Sequence, residues 1–210
     1  MPRGGAEHVH ARREEILTAC ERLYAAQGFK DVTIKDIGEH TSFTRTSIYN
    51  YFVTKEEIFL ALLGREYAAW EADLRAALAS GTICTRAALA DVLSETLARR
   101  ETMLRLMSTS LFEMEANSRV EALADFKRTF GAVFQTLDRL VAACCPELDE
   151  PARGRFLYAF MPFVYGVWPY CTVTEKQRAA MKHAGLTYEP PTIRELVRRG
   201  AAMLLQTETP

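Results

Sequence analysis

The sequence of 210 residues contains none of the short motifs that usually mark an enzyme active site or a metal centre. It has no H-E-x-x-H, no G-x-S-x-G and no glycine-rich phosphate loop, and its only histidines are His8, His10, His40 and His183. His8 and His10 could chelate a metal, but a solvated role is favoured for them. We expect no catalytic residue, no metal and no cofactor, and an all-helical enzyme is the weakest alternative.

Cysteine pairs at C-x-x-C spacing and apolar runs long enough to cross a bilayer are also missing. The five cysteines never stand at C-x-x-C spacing, and an odd number without a secretory signal is typical of a reducing compartment. The longest apolar run, residues 156–171, is too short to span a bilayer and contains Pro162 and Pro169. We expect a cytoplasmic protein without a membrane role. The adjacent Cys144 and Cys145 leave a thiol-based redox sensor as an alternative.

A strong positive charge, which would favour nucleic acid as a partner, is absent. The formal net charge is -1, and residues 1–60 hold eight Lys and Arg against nine Asp and Glu. Any attraction to phosphate must come from a few placed cations and from helix N-termini. This low charge keeps open a third alternative, a pure interaction protein that has lost DNA binding.

One local pattern occurs three times between residues 32 and 58. An apolar residue precedes a threonine, and a second apolar residue follows four positions later: Val32-Thr33 with Ile37, Phe43-Thr44 with Ile48, and Val53-Thr54 with Ile58. A threonine N-cap enclosed by such a pair is a hydrophobic staple. The N3 residues are Asp36, Ser47 and Glu57, and only Glu57 is expected to complete a capping box.

These three helix starts predict two short helices followed by a long one. The starts are 11 and 10 residues apart, so the first two helices have about two turns each and must pack on an earlier helix, predicted from Val9 to Ala26 and ended by Gly28. Two helices joined by the turn of residues 40–43 form a helix-turn-helix. The third start, at Thr54, opens a helix to Ala79, roughly 39 Å long.

The remaining sequence is also helical in pattern, with helices expected near residues 85–98, 101–115, 119–145, 152–171, 174–184 and 192–206. The predicted fold class is all-α. An N-terminal three-helix helix-turn-helix domain, residues 1–53, is joined by the long helix to a C-terminal helical ligand-binding and dimerisation domain, residues 54–210.

The second short helix has a polar outer face. Ile48 and Phe52 form its inward pair, which leaves outward Arg45, Thr46, Ser47, Tyr49 and Asn50. A recognition helix places such residues against base edges in the major groove, where Arg reads guanine and Asn reads adenine.

The segments Thr33-Ile34-Lys35-Asp36-Ile37, Thr44 to Phe52 and Lys55-Glu56-Glu57-Ile58-Phe59 resemble the signature of the TetR family. The resemblance covers roughly residues 12 to 63 and implies a repressor. It implies phosphate contacts from Thr33, Tyr49, Tyr51 and Lys55, and base contacts from Arg45, Thr46 and Ser47. The complete set of candidate DNA-binding residues is Thr33, Thr44, Arg45, Thr46, Ser47, Tyr49, Asn50, Tyr51 and Lys55.

The chain departs from the family at the turn, where it has Ser42 and the family usually has Gly. A residue with a Cβ atom pays more for a positive φ. The sequence therefore leaves open whether Ser42 alters the tilt of the recognition helix.

The C-terminal part is expected to hold a small apolar or aromatic effector. Two apolar stripes and the all-round apolar helix of residues 156–170 can enclose a cavity, with Pro162 kinking that helix. The candidate effector-binding residues are Tyr67, Trp70, Met103, Met107, Phe134, Tyr158, Met161, Tyr165 and Trp168.

The same apolar helix and the helix of residues 192–206 are expected to form a four-helix homodimer interface, the latter through Ile193, Leu196, Val197, Ala201 and Leu204. A homodimer would bind double-stranded operator DNA through two half-sites about 34 to 36 Å apart. An effector that favours one tilt of the long helix would change this separation and release the DNA.

Overall fold

The protein is described by a computed structural model that covers residues 4–82 and 85–207, so that Cys84 lies outside the described residues. Within these ranges the chain forms ten α-helices and no strand. They are α1 Gly4–Gln27, α2 Ile34–Glu39, α3 Arg45–Ile48, α4 Lys55–Ala79, α5 Arg86–Ala98, α6 Glu101–Ala116, α7 Val120–Cys144, α8 Glu150–Cys171, α9 Glu175–His183 and α10 Ile193–Thr207. The all-α fold class is confirmed.

Helix ends follow local sequence signals closely. Gly28 ends α1 with a φ of 86°, a left-handed conformation that a glycine adopts without strain. The recognition helix is shorter than expected, because the regular helix ends at Ile48 and residues 49–51 continue as a turn. Helix α8 runs through Pro162 and Pro169 without a break, and the kink expected at Pro162 stays a prediction.

The chain divides into two compact units. Unit 1 comprises the described residues of Met1–Glu66 together with Ser110–Thr129, and unit 2 comprises Tyr67–Thr109 with the described residues of Phe130–Pro210. Helices α4, α6 and α7 each contribute residues to both units. The domain boundary after residue 53 stays a prediction.

The core of unit 1 confirms part of the staple pattern. Ile37, Ile48 and Ile58 are completely buried, as the pattern requires. Their N-terminal partners differ, because Val32 is buried whereas Val53 is 48% exposed. The third staple therefore does not close, and polar capping holds the start of α4 instead.

Unit 2 has a core of aromatic and aliphatic side chains around Trp70, whose indole N–H donates to the Thr96 hydroxyl at 3.1 Å. Helix α10 packs on α5 and α8. A Cβ atom on Gly200 would lie 2.3 Å from Cζ of Phe163, so a larger residue on α10 would require the Phe163 ring on α8 to shift. Val197 and Ala201 are buried within the chain, which corrects their assignment to a dimer interface.

No single helix in the described residues meets the length and apolarity needed to cross a bilayer, although α8 and α9 pass together as a pair bent by 77°.

Candidate DNA-binding surface and effector-binding residues

The start of α2 is fixed by reciprocal capping. The Thr33 hydroxyl accepts the backbone N–H of Asp36 at 3.2 Å, and the Asp36 carboxylate accepts the backbone N–H of Thr33 at 2.9 Å. Hydrogen bonds from the Thr33 hydroxyl and backbone hold the pKa of Asp36 below its ordinary value. The expectation that only Glu57 completes a capping box is wrong, since the shorter Asp36 carboxylate also reaches back.

Helix α3 presents the predicted polar face. Thr44, Arg45, Thr46, Tyr49 and Asn50 are exposed. In this state the Arg45 guanidinium lies along the Tyr49 ring and donates to its hydroxyl at 3.2 Å. Five side chains with hydrogen-bonding groups are therefore available on one short segment.

Ser47 and Tyr51, two further candidates, are only half-buried. The Ser47 hydroxyl shares a hydrogen bond with that of Thr44 at 3.1 Å. The Tyr51 carbonyl accepts from Arg13 at 3.4 Å, and the Arg13 guanidinium lies 4.4 Å over the ring of Phe52. Helix α1 thus supports the segment that ends α3.

Glycine at position 38 permits the close crossing of α2 and α3. A Cβ atom there would lie 3.2 Å from Cα of Arg45, which is a backbone atom and cannot swing away. Nothing in the sequence marks this position, because a lone glycine inside a short helix does not reveal which residue will pack against it.

Ser42 in the turn does not adopt a positive φ, a conformation found in no described residue other than glycine. Its backbone N–H donates to Oε1 of Glu15, and its hydroxyl lies 3.1 Å from Oε2 of the same carboxylate. The Arg12 guanidinium donates to the Ser42 hydroxyl at 2.9 Å and lies 4.6 Å over the ring of Phe43. The turn is therefore held from α1 without the conformation that glycine would favour.

Lys55 has a different environment from the one that the resemblance implies. Its ammonium donates to the carbonyls of Phe29, Lys30 and Val32 at 3.1, 3.1 and 3.3 Å. An ammonium has three N–H donors, so these contacts use all of them. In this geometry Lys55 fixes the loop that leads to Thr33 rather than presenting a cation to solvent.

The first turn of α4 binds the residues around the turn between α6 and α7. The Glu57 carboxylate accepts Nε and Nη2 of Arg119 at 2.6 and 2.9 Å, and the backbone N–H groups of Arg119 and Val53 at 3.1 and 2.9 Å. The Thr54 hydroxyl donates to the Asn117 carbonyl at 3.1 Å. Arg119 was not identified from the sequence, since nothing local marks a partner 62 residues away.

The candidate effector-binding residues all belong to unit 2. Tyr67, Trp70, Met103, Met107 and Met161 are buried, and Phe134, Tyr165 and Trp168 are half-buried. Ring contacts run from Trp70 through Tyr67, Phe130 and Phe134 to Tyr158, with centroid separations of 6.3, 5.7, 4.7 and 6.2 Å.

Three tyrosines among these residues have informative positions. The hydroxyls of Tyr67 and Tyr165 lie 3.5 Å apart, so two amphipathic side chains meet inside unit 2. Tyr158, by contrast, is 78% exposed, which is inconsistent with its placement facing an enclosed cavity.

Unit 2 also has an open groove of about 590 Å³ between α7 and α8. Phe134 is the only candidate effector residue in its wall, and the other lining residues are Gln135, Asp138, Arg139, Glu150, Pro151, Gly154 and Leu157. Asp138 is bound by Arg153 at 2.8 Å, so this groove has a charged side that the apolar pattern did not predict.

The cysteines give no support to a redox sensor. Cys20, Cys144 and Cys145 are buried and unlinked. Burial raises the pKa of the Cys145 thiol, and it raises that of Cys171 as well. Because the thiolate is the reactive form, neither thiol is activated.

Two short helices packed beside α1, the second with an exposed polar face, followed by the long α4, define a helix-turn-helix DNA-binding protein. Family models place it more narrowly: residues 16–62 match the bacterial regulatory proteins of the tetR family, and residues 64–206 match a tetracyclin repressor-like C-terminal domain. The chain belongs to the TetR family.

Curated relatives are similar over about a third of the chain. The chain is 36% identical over 62 residues to an uncharacterised helix-turn-helix regulator, YfiR, of Bacillus subtilis, covering 30% of each chain. It is 35% identical over 74 residues to the repressor AcnR of Corynebacterium diphtheriae, covering 35% of this chain and 38% of the relative. The chain thus spans about a third of the length of the curated relatives it matches.

Solved structures are similar over nearly the whole chain. FadR, a fatty acid degradation regulator from Bacillus halodurans, has a TM-score of 0.58 at 17% identity, with 92% of this chain and 94% of that one covered. FadR of Thermus thermophilus, in complex with lauroyl-CoA, has a TM-score of 0.59 at 18% identity, covering 92% and 93%. These likenesses show the shared fold.

Proposed function

We propose that this protein is a transcriptional repressor that binds a pseudo-palindromic operator as a homodimer and leaves it when a small effector binds. The observation that carries the proposal is the exposed polar face of α3, placed beside a capped α2 and anchored by the buried Ile48. A helix-turn-helix puts the N-terminal residues of its second helix against base edges.

Base contacts are assigned to Arg45, Thr46 and Asn50, with Ser47 and Thr44 beside them. Arg45 suits guanine, because its guanidinium can donate to both major-groove acceptors of that base. Asn50 suits adenine, because its amide matches the one acceptor and the one donor of that base. On DNA the Arg45 guanidinium would exchange the Tyr49 hydroxyl for a base edge. This exchange leaves Tyr49 free to donate to phosphate.

Phosphate contacts are assigned to Thr33, Tyr49 and Tyr51. The Thr33 hydroxyl, which donates to the Asp36 carboxylate at 2.7 Å, would exchange this acceptor for a phosphate oxygen. Lys55 is reassigned from a phosphate contact to a residue that positions α2, because its three donors are used inside unit 1. With hydroxyl groups in place of cations, few counterions are released on binding, and we expect a shallow dependence of affinity on salt.

The DNA-binding part of the proposal is tested with Arg45→Ala and with Arg75→Ala, which removes an exposed cation of unit 2 as a matched control. The probe is a duplex selected by the wild-type protein from a randomised library. Loss of the bidentate contact should cost about 1 to 3 kcal/mol at one operator position. Equal binding by Arg45→Ala and Arg75→Ala would contradict the assignment.

The effector is proposed to be apolar or aromatic and to bind among Tyr67, Trp70, Met103, Met107, Phe134, Met161, Tyr165 and Trp168. Flexible methionines and amphipathic rings suit a greasy body with few hydrogen bonds. The facing Tyr67 and Tyr165 hydroxyls could serve a single polar group. Similar folds hold lauroyl-CoA in T. thermophilus FadR, stearoyl-CoA in B. subtilis FadR and resorcinol in RolR, so acyl-CoA thioesters and phenols form the first test set.

The effector proposal is tested by adding each compound to the complex of wild-type protein with its selected duplex. A true effector should release the duplex, and Met107→Ala and Trp168→Ala should raise the concentration needed. If both variants keep the wild-type effector affinity and only melt at lower temperature, these residues belong to the core alone.

Dimerisation is proposed to use an exposed face of α8. One side of α8 carries residues that recur at helical spacing: Arg155, Tyr158, Pro162, Gly166 and Pro169. Tyr158 is the most exposed large apolar side chain of α8, at 78%. This reassigns Tyr158 from the effector site to the partner. On α10, the half-buried Ile193, Leu196 and Leu204 remain candidates for the same interface.

The proposed coupling uses the helices that the two units share. Helices α4, α6 and α7 extend from unit 2 into unit 1, where Glu57 and Arg119 join the start of α4 to the residue before α7. An effector that favours one arrangement of these helices would change the population of DNA-competent dimers.

A further inference from the structure

The turn of the helix-turn-helix is connected to α1 by a group of three polar residues, which we name the turn clamp: Arg12, Glu15 and Ser42. The Glu15 carboxylate faces both the backbone N–H and the hydroxyl of Ser42, while Arg12 donates to that hydroxyl and lies 3.8 Å from the carboxylate. Hydrogen bonds from Ser42 lower the pKa of Glu15, so the carboxyl is ionised at neutral pH.

The clamp lies where a small movement has the largest effect on α3. Ser42 stands three residues before Arg45, and α3 has only four residues of regular helix. A helix this short cannot hold its own direction and takes it from its contacts. On the other side, Gly38 already lies against the Arg45 backbone, so the first turn of α3 has little room to move toward α2.

We infer that Arg12 and Glu15 are positioning residues for DNA recognition, which set the direction of the base-reading residues at the start of α3 by holding Ser42. This inference rests on the proposed DNA-binding function. Neither residue is assigned a contact with DNA. Their role is to keep Arg45 and Thr46 within the narrow distance and angle limits that base hydrogen bonds require.

A purely structural role predicts a different outcome. Exposed ion pairs and hydrogen bonds contribute little to stability, so a structural role would show as a small loss of melting temperature and nothing else. Removal of an acidic side chain also reduces repulsion of phosphate, which by itself raises affinity for any DNA. A positioning role therefore shows as a loss of affinity for the selected duplex alone. This loss is opposite in sign to the gain in affinity that removal of the negative charge would give by itself.

The test compares Glu15→Ala with Glu14→Ala in the full-length protein. Glu14 is the preceding residue of α1 and pairs with Arg65 at 3.5 Å, away from the turn. Affinity is measured for the duplex selected by the wild-type protein and for a scrambled duplex of equal length, together with thermal unfolding. Ser42→Ala is a third variant that removes the hydroxyl and keeps the backbone donor.

Glu15→Ala should weaken binding of the selected duplex about tenfold, the equivalent of about 1.4 kcal/mol, with scrambled binding unchanged or tighter. Ser42→Ala should give a smaller loss, and Glu15→Ala should add less to Ser42→Ala than to wild type. Equal effects of Glu14→Ala and Glu15→Ala, or equal losses on both duplexes, would overturn the inference. A wild-type protein that does not discriminate the two duplexes would instead overturn the proposed function.

Discussion

Glu57 and Arg119 form a two-pronged ion pair in unit 1, in which a buried carboxylate binds an arginine side chain that is 53% exposed. The pair joins the third residue of α4 to the residue that precedes α7. A carboxylate without access to water depends on its hydrogen-bond donors. Arg119 supplies three of the four that Glu57 receives.

Arg119→Ala should lower the free energy of unfolding clearly more than Arg128→Ala does, because it leaves Glu57 with only backbone donors. Arg128→Ala is the control, since it breaks an exposed pair with Asp125 in the same unit and should change little. Urea unfolding at neutral pH measures both. A loss for Arg119→Ala no larger than that for Arg128→Ala would show that the pair is dispensable.

The same pair should make stability depend on acid. Burial raises the pKa of the Glu57 carboxyl, but hydrogen bonds from Arg119 and Val53 outweigh burial and lower the pKa to about 2 from 4.5. The folded pKa lies below the unfolded value, so the stabilisation is complete above pH 4.5 and is lost as pH falls toward 2. The difference in unfolding free energy between wild type and Arg119→Ala should therefore shrink below pH 4.5. A constant difference would contradict the lowered pKa.

Lys55→Ala should destabilise the protein without removing a phosphate contact. The expected loss is about 1.5 to 3 kcal/mol, as for hydrogen bonds to a charged group. A plot of log affinity against log salt should keep the wild-type slope, whereas a phosphate contact would reduce the slope by about one. A reduced slope with unchanged stability would restore the role that the resemblance implied.

Gly38→Ala should separate stability from recognition. Alanine favours a helix over glycine by about 1 kcal/mol, yet its Cβ must displace the Arg45 backbone by a few tenths of an ångström. We expect weaker binding of the selected duplex without loss of melting temperature. Gly64→Ala in α4 is the control, because its Cβ meets only Phe126 at 3.9 Å and should leave DNA binding intact. Unchanged binding by Gly38→Ala would contradict the close crossing.

Tyr158→Arg should dissociate the proposed dimer. A charged side chain on the exposed face of α8 would be buried without a partner at the interface. Light scattering after size exclusion should then give the mass of one chain, and Arg178→Glu, on exposed α9, should retain the wild-type mass. A Tyr158→Arg protein of unchanged mass would place the interface elsewhere.

Local signals predicted the helices well, because a cap or a left-handed glycine acts within one turn. Thr33 and Gly28 mark ends of helices for reasons visible in a few neighbouring residues. The candidate site was predicted less completely. The Lys55 ammonium donates to backbone carbonyls at least 23 residues away, and no local sequence pattern predicts such contacts.

The sequence also failed to predict which side of an apolar helix is exposed. Helix α8 is apolar on all sides, so periodicity could not tell the exposed Tyr158 from the buried Met161. Val197 and Ala201 were assigned to the wrong surface for a similar reason, since an apolar stripe on α10 can face either the core of the chain or a partner chain. Ser42 illustrates the reverse case, in which a departure from the family pattern is accommodated by Glu15, 27 residues earlier.

Footprinting on the DNA beside the protein's own gene is the most direct test of the central claim that α3 of a homodimer reads an operator. The wild-type protein should protect a pseudo-palindrome whose half-sites are about 34 to 36 Å apart, and Arg45→Ala should lose that protection at equal concentration. Uniform protection without a preferred site, or identical footprints from the wild-type and Arg45→Ala proteins, would contradict it.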